Sequence, residues 1–136
     1  MGESVQHMRL VKSLAEWVVD AYFENDAGHV LIDSPENSAS AKPPRVYGFV
    51  PDVYAERSAP RHLVIGEAKT ARDLENRHTR DQLTAFLTRC GQVPDSALVV
   101  AVPWHMTRFA RALLRVLQRQ ADVREVMTVV LDALEG

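Results

Sequence analysis

The fold is decided by residues 51 to 69, PDVYAERSAPRHLVIGEAK, together with the few residues before them. Residues 46 to 55 and 62 to 69 are rich in Val, Tyr, Phe, Ile and Leu, which favour β-strands. The polar residues 56 to 61 between them suit the connection of a hairpin. We therefore predict two neighbouring antiparallel strands, with Asp52 in the first and Glu67 near the end of the second.

The rest of the chain alternates between helical and strand patterns. The other predicted elements are, in order, a helix at 5–23, a strand at 29–32, a polar loop at 33–44, a helix at 74–90 with Gly91 as its stop, a strand buried on both faces at 97–102, a helix at 106–120 and a strand at 126–131. This order predicts one α/β domain over residues 1–136, with three layers and a central mixed sheet flanked by helices.

Composition limits the classes of protein to which the chain can belong. Its 136 residues are 46% hydrophobic, enough to bury the core of one domain. No segment approaches the roughly 20 apolar residues of a membrane helix, and residues 1–12 do not resemble a signal peptide, so we expect a cytoplasmic protein. The net charge of −2 gives no general affinity for nucleic acid, and the lone Cys90 is expected in the core.

Charged residues lie at the end of the second predicted hairpin strand. Side chains alternate between the two faces of a strand, so Glu67 and Lys69 point the same way, and Asp52 can come alongside them. Burying such charges unpaired costs several kcal/mol each. A divalent cation held by the two carboxylates would remove that cost, and the lysine could then orient a water molecule that attacks a phosphodiester.

The pattern PD, fourteen intervening residues and EAK resembles the PD-(D/E)xK, or restriction-endonuclease-like, superfamily, including its small Holliday-junction-resolvase-like domains. The resemblance implies an α-β-β-β-α-β core, here followed by an additional helix and strand. It implies that Asp52, Glu67 and the main-chain carbonyl of Ala68 bind Mg²⁺ or Mn²⁺, and that Lys69 serves the attacking water. Gln82, on the following helix, matches a supporting position of the family. The implied activity is metal-dependent hydrolysis of DNA, with a homodimer as a possible assembly.

Two groups of arginines could contact a nucleic-acid backbone. The first lies close in sequence to the predicted site and consists of Arg72, Arg77 and Arg80. The second forms one stripe on the predicted helix at 106–120 and consists of Arg108, Arg111, Arg115 and Arg119. Such a stripe suits phosphate contacts, and an ordinary solvated helix face is an equal alternative.

Several alternatives stay open at this level. The chain could keep the nuclease fold as a non-catalytic module that binds a nucleic acid or a protein, or the three charged residues could be coincidental in an unrelated α/β domain. Glu16 on the first helix could add a metal ligand, although it shares the polar face of that helix. His78 could contact a phosphate or a metal-bound water. The form of the nucleic-acid substrate is not visible in the sequence.

Overall fold

A computed structural model describes residues 5–24, 29–34, 41–58 and 60–133. The elements are α1 (Val5–Tyr22), β1 (Val30–Ile32), β2 (Val53–Ser58), β3 (Arg61–Ala68), α2 (Ala71–Leu74), α3 (Arg77–Gly91), β4 (Ser96–Pro103), a 3-10 turn (Trp104–Met106), α4 (Thr107–Ala121) and β5 (Met127–Ala133). The predicted order of helices and strands is confirmed, with α2 and the 3-10 turn as additions.

The five strands form one mixed sheet in the order β1-β2-β3-β4-β5. The first three strands pair antiparallel, whereas β4 pairs parallel with both β3 and β5. Parallel neighbours need long crossover connections, and here α2 with α3, and then α4, supply them. The carboxyl ends of β3 and β4 therefore lie at the same edge of the sheet.

Helices cover both faces of the sheet, as predicted. On β3 and β4, Leu63, Ile65 and Leu98 belong to the core shared with α3 and α4. The alternate residues, such as Val64 and Val99, pack with α1 on the opposite face. The central strand β4 is buried on both faces, and Cys90 lies in the core, so both predictions are confirmed. Each layer rests on the alternation of apolar side chains along these two strands.

The predicted first strand of the hairpin, 46–55, was wrong at its start and at its end. Residues 46–49 form a tight turn closed by an isolated bridge between Val46 and Phe49. Within it Tyr47 and Gly48 have φ values of 50° and 89°, a left-handed backbone incompatible with a strand. The strand begins only at Val53, so Asp52 directly precedes it instead of lying within it. The polar interval continues the pairing as far as Ser58 opposite Arg61, which leaves a connection of two residues.

The single predicted helix at 74–90 is two helices separated by a short break. The side chain of Asn76 accepts a hydrogen bond from the backbone nitrogen of Thr79 at 2.8 Å, which caps the start of α3. Gly91, which was predicted to stop the helix, is the last residue of α3, and the C-cap is the next residue, Gln92. Most of the predicted loop at 33–44 lies outside the described residues. None of the described helices has the length and apolarity to span a membrane.

Gly66 allows α1 to approach β3 closely. A Cβ atom at this position would lie 3.1 Å from Cδ2 of Leu14 and 3.1 Å from Cβ of Val53. We therefore predict that Gly66→Ala lowers the free energy of unfolding by about 1–3 kcal/mol, because the helix must move away from the sheet. Denaturant unfolding at equilibrium measures this loss.

A double-mutant cycle with Leu14→Ala tests the cause. Removing the Leu14 methyl groups should relieve part of the cost of Gly66→Ala. The double variant should therefore lose less stability than the sum of the losses in the two single variants. Strict additivity of the two losses would contradict the contact between α1 and Gly66.

Candidate metal centre

The candidate site lies at the edge of the sheet where β3 ends. The antiparallel register pairs Val53 with Gly66, which brings the preceding Asp52 opposite Glu67. The backbone nitrogen of Asp52 donates to Oε1 of Glu67 at 3.1 Å. The backbone nitrogen of Ala68 in turn donates to Oδ2 of Asp52 at 2.9 Å. The Glu67 carboxylate is thus held by the main chain at Asp52, and the Asp52 carboxylate by the main chain at Ala68.

Lys69 completes this group from the residue that follows β3. Its Nζ lies 3.1 Å from Oε2 of Glu67 and donates to Oε1 of Gln82 at 2.5 Å. Gln82 reaches the ammonium group from α3, whose start is capped by Asn76. The four predicted site residues are therefore in one connected network, which draws on both the hairpin and the helix behind it.

The three charged residues of this network are nearly inaccessible to solvent. Asp52, Glu67 and Lys69 are 6%, 3% and 8% exposed, respectively. Burial and, second to it, the nearby Asp52 carboxylate raise the pKa of Glu67 to about 8, against the opposing effects of Lys69 and the hydrogen bonds. Two buried acids with one buried base form a site that attracts a further positive charge, either a proton or a metal cation.

His7 of α1 is a member of the site that the sequence analysis missed. Its Nε2 lies 3.1 Å from the carbonyl oxygen of Ala68 and 3.3 Å from Oδ2 of Asp52. Because a carbonyl oxygen can only accept, Nε2 carries the proton in this arrangement. A signal was present in the sequence, since His7 precedes Leu10 and Leu14 at helical spacing and therefore shares the buried face of α1.

The donor atoms fit a hard divalent cation that keeps part of its water shell. Oxygen ligands from carboxylates and a main-chain carbonyl suit Mg²⁺ and Mn²⁺, and Asp52, Glu67 and Ala68 offer them within one hydrogen-bonded cluster. Among the described residues, no three His, Cys, Asp or Glu side chains are arranged around one point as a complete metal cage. Mg²⁺ binds through one or two carboxylates and several waters, so it does not need such a cage.

The two residues left open by the sequence are both exposed. Glu16 is on the exposed side of α1, as its polar neighbours on that helix indicated. His78 is exposed in the first turn of α3, where its ring packs edge-on against Phe49 with a centroid distance of 5.6 Å. In the described structure, neither is hydrogen-bonded to Asp52, Glu67 or Lys69.

Both groups of arginines lie on the surface. Arg72, Arg77 and Arg80 are exposed on α2 and the first turn of α3, the segment that leads from Lys69 to Gln82. The stripe on α4 is exposed along its whole length, and none of its members forms an ion pair within the described parts of the chain. Since α4 starts just after the carboxyl end of β4, the stripe begins at the site's edge of the sheet and runs away from it.

Other nucleophilic chemistry has little support. Burial raises the pKa of the Cys90 thiol to about 12, so this group stays protonated at neutral pH.

In comparisons with known proteins, the chain matches no family model, no curated protein and no solved structure. The class of protein must therefore be argued from the geometry of the site.

The raised pKa of Glu67 predicts how stability depends on pH without divalent cations. An acid whose pKa is higher in the folded chain favours folding when protonated, so its contribution is full below its ordinary value of 4.5 and is lost as pH rises to about 8. We expect Glu67→Gln to remove this decline, so that its stability relative to the wild type improves by on the order of a few kcal/mol between pH 5 and pH 8. Urea unfolding in EDTA across this range measures the effect.

Glu16→Gln is the matched control, because it removes the same charge from the exposed side of α1. It should follow the pH dependence of the wild type. Parallel curves for Glu67→Gln and the wild type would show that Glu67 is ionised like an ordinary surface acid.

Proposed function

We propose that the protein is a metal-dependent nuclease of the PD-(D/E)xK class that hydrolyses the DNA backbone with Mg²⁺ or Mn²⁺. The observation that carries this proposal is the buried network of Asp52, Glu67 and Lys69 at the end of β3. Burying two acids and one base together is costly for stability, and a folded chain has little reason to keep them unless they bind something. The α/β architecture, with a mixed sheet between helices, is compatible with this class.

The side chains suggest a division of tasks. Asp52, Glu67 and the carbonyl of Ala68 would hold the cation, which when bound supplies Lewis-acid polarisation of the phosphodiester. Lys69 is held by Glu67 and Gln82, which use two of the three hydrogens on its ammonium group. The third hydrogen can orient the attacking water or stabilise the negative charge that develops on the phosphate. Gln82 is a positioning residue, since it acts through Lys69.

Exposed arginines provide the positive charge that the chain as a whole lacks. Arg72, Arg77 and Arg80 follow Lys69 in the chain and are the better placed for the phosphates beside the scissile bond. The stripe on α4 extends this positive surface, and arginine contacts to phosphates give affinity without reading sequence. The exposed stripe is also the feature that a non-catalytic DNA-binding module would retain.

Cleavage assays with site variants test the proposal. We expect the purified protein to cleave at least one of plasmid, single-stranded and branched DNA when Mn²⁺ or Mg²⁺ is added. Asp52→Asn and Lys69→Ala should each lower the rate by about 100-fold or more, because each removes a group that acts on the reacting phosphate. Gel-based rates, with folding checked by circular dichroism, measure this loss.

Exposed residues on α1 supply the controls. Asp20→Asn and Lys12→Ala make the same chemical changes at solvent-exposed positions and should leave the rate unchanged. If no substrate is cleaved with either metal while DNA still binds, the chain is a binding module that retains the site without turnover. Cleavage that persists in both site variants would place the activity elsewhere.

A further inference from the structure

We infer that His7 is a nitrogen ligand of the metal centre and makes that centre prefer Mn²⁺ and other transition metals to Mg²⁺. The inference rests on the proposed metal-dependent function and deepens it, because it concerns which cation the same site selects. It is carried by the position of the His7 imidazole, which approaches the site from α1, on the face of the sheet opposite α3.

The imidazole nitrogen faces two of the expected ligand atoms at once. Nε2 of His7 lies 3.3 Å from Oδ2 of Asp52 and 3.1 Å from the carbonyl oxygen of Ala68. Neighbouring ligands of an octahedral cation with bonds of about 2.1–2.2 Å are separated by about 3.0–3.1 Å. Both distances from Nε2 are therefore close to the spacing of adjacent ligands around one cation, in a set whose direct ligands are His7, Asp52 and the Ala68 carbonyl.

The ring is also held in this position by its surroundings. The His7 side chain is only 13% exposed, and the helix that carries it is anchored by Leu10, Leu14 and Val18 in the core. A ligand on a rigid, packed helix costs little entropy to bind a metal. In the described state Nε2 donates its hydrogen to the two oxygens, whereas a cation would bind Nε2 in the other neutral tautomer, with the hydrogen on Nδ1 and no net loss of a proton.

The chemistry of imidazole determines the preference. Mg²⁺ strongly favours oxygen ligands, whereas affinity for nitrogen ligands increases from Mn²⁺ through Co²⁺. Without His7, the centre would offer oxygen ligands alone. Adding His7 raises the affinity for transition metals more than the affinity for Mg²⁺.

Pulsed electron paramagnetic resonance of bound Mn²⁺ tests the inference without reference to activity, because a directly bound imidazole gives a ¹⁴N modulation. We expect this modulation in the wild type and its loss in His7→Gln, which keeps a hydrogen-bonding side chain but no imidazole. His78→Gln is the matched control and should retain the modulation. Calorimetric titration should show Mn²⁺ affinity lowered about tenfold or more in His7→Gln, with Mg²⁺ affinity little changed.

The outcomes separate this inference from the proposed function. Mn²⁺ that binds the wild type, is lost in Asp52→Asn and shows no nitrogen modulation would overturn the role of His7 and leave the metal centre intact. Absence of Mn²⁺ and Mg²⁺ binding to the wild type would overturn both. His7→Glu is a second variant that supplies an oxygen ligand, and its relative affinity should shift towards Mg²⁺. An unchanged ratio of the two affinities in His7→Glu would also contradict the inference.

Discussion

The rest of the site depends on one constraint, which is that Asp52 and Glu67 are buried next to each other. Among the described residues, Lys69 is the only ammonium group in direct contact with either carboxylate. Two carboxylates in a low-dielectric environment repel each other. Main-chain donors lower the cost of this repulsion, and the raised pKa of Glu67 means that this residue holds a proton at neutral pH. Neither the donors nor an exchangeable proton provides a permanent positive charge to balance the second carboxylate. A bound cation would supply that charge, and the cost of the site in stability supports the proposed metal-dependent function.

The surrounding fold keeps this arrangement fixed from three directions. The hairpin register sets Asp52 opposite Glu67, and the backbone nitrogen of Lys69 is bonded to the carbonyl of Ala101 on β4 at 2.9 Å. The capped start of α3 brings Gln82 to the ammonium group, and α1 brings His7 to the other side. Because each contributor is on a packed element, the donor atoms need little rearrangement to act together.

The sequence predicted more of the architecture than of its boundaries. The β-prone apolar runs of β3 and β4 and the amphipathic pattern of α1 were sufficient to predict a mixed sheet between helices. The same pattern could not reveal that Tyr47 and Gly48 adopt left-handed conformations, because the surrounding residues are as β-prone as those of a real strand. Polar residues such as Arg57 hid the continuation of β2, since the exposed end of a hairpin does not need apolar side chains.

A similar limit applies to the candidate site. Strand alternation and the resemblance to a nuclease family pointed to Asp52, Glu67, Lys69 and Gln82, which the structure brings into one network. His7 is separated from Asp52 by 45 positions, and helical spacing shows that it faces the core without showing which residue it meets. Contacts between layers depend on how far α1 extends along the sheet, which local patterns do not encode.

The central claim is that the buried acid pair binds a cation in place of a proton. The most direct test is to measure the number of protons released when the cation binds. Calorimetric titration of Mn²⁺ near pH 7, in two buffers with different enthalpies of ionisation, gives this number. A protonated Glu67 predicts the release of about one proton per Mn²⁺, decreasing as pH rises past the pKa of that group. Binding of Mn²⁺ without proton release, at the same affinity across this range, would contradict the account.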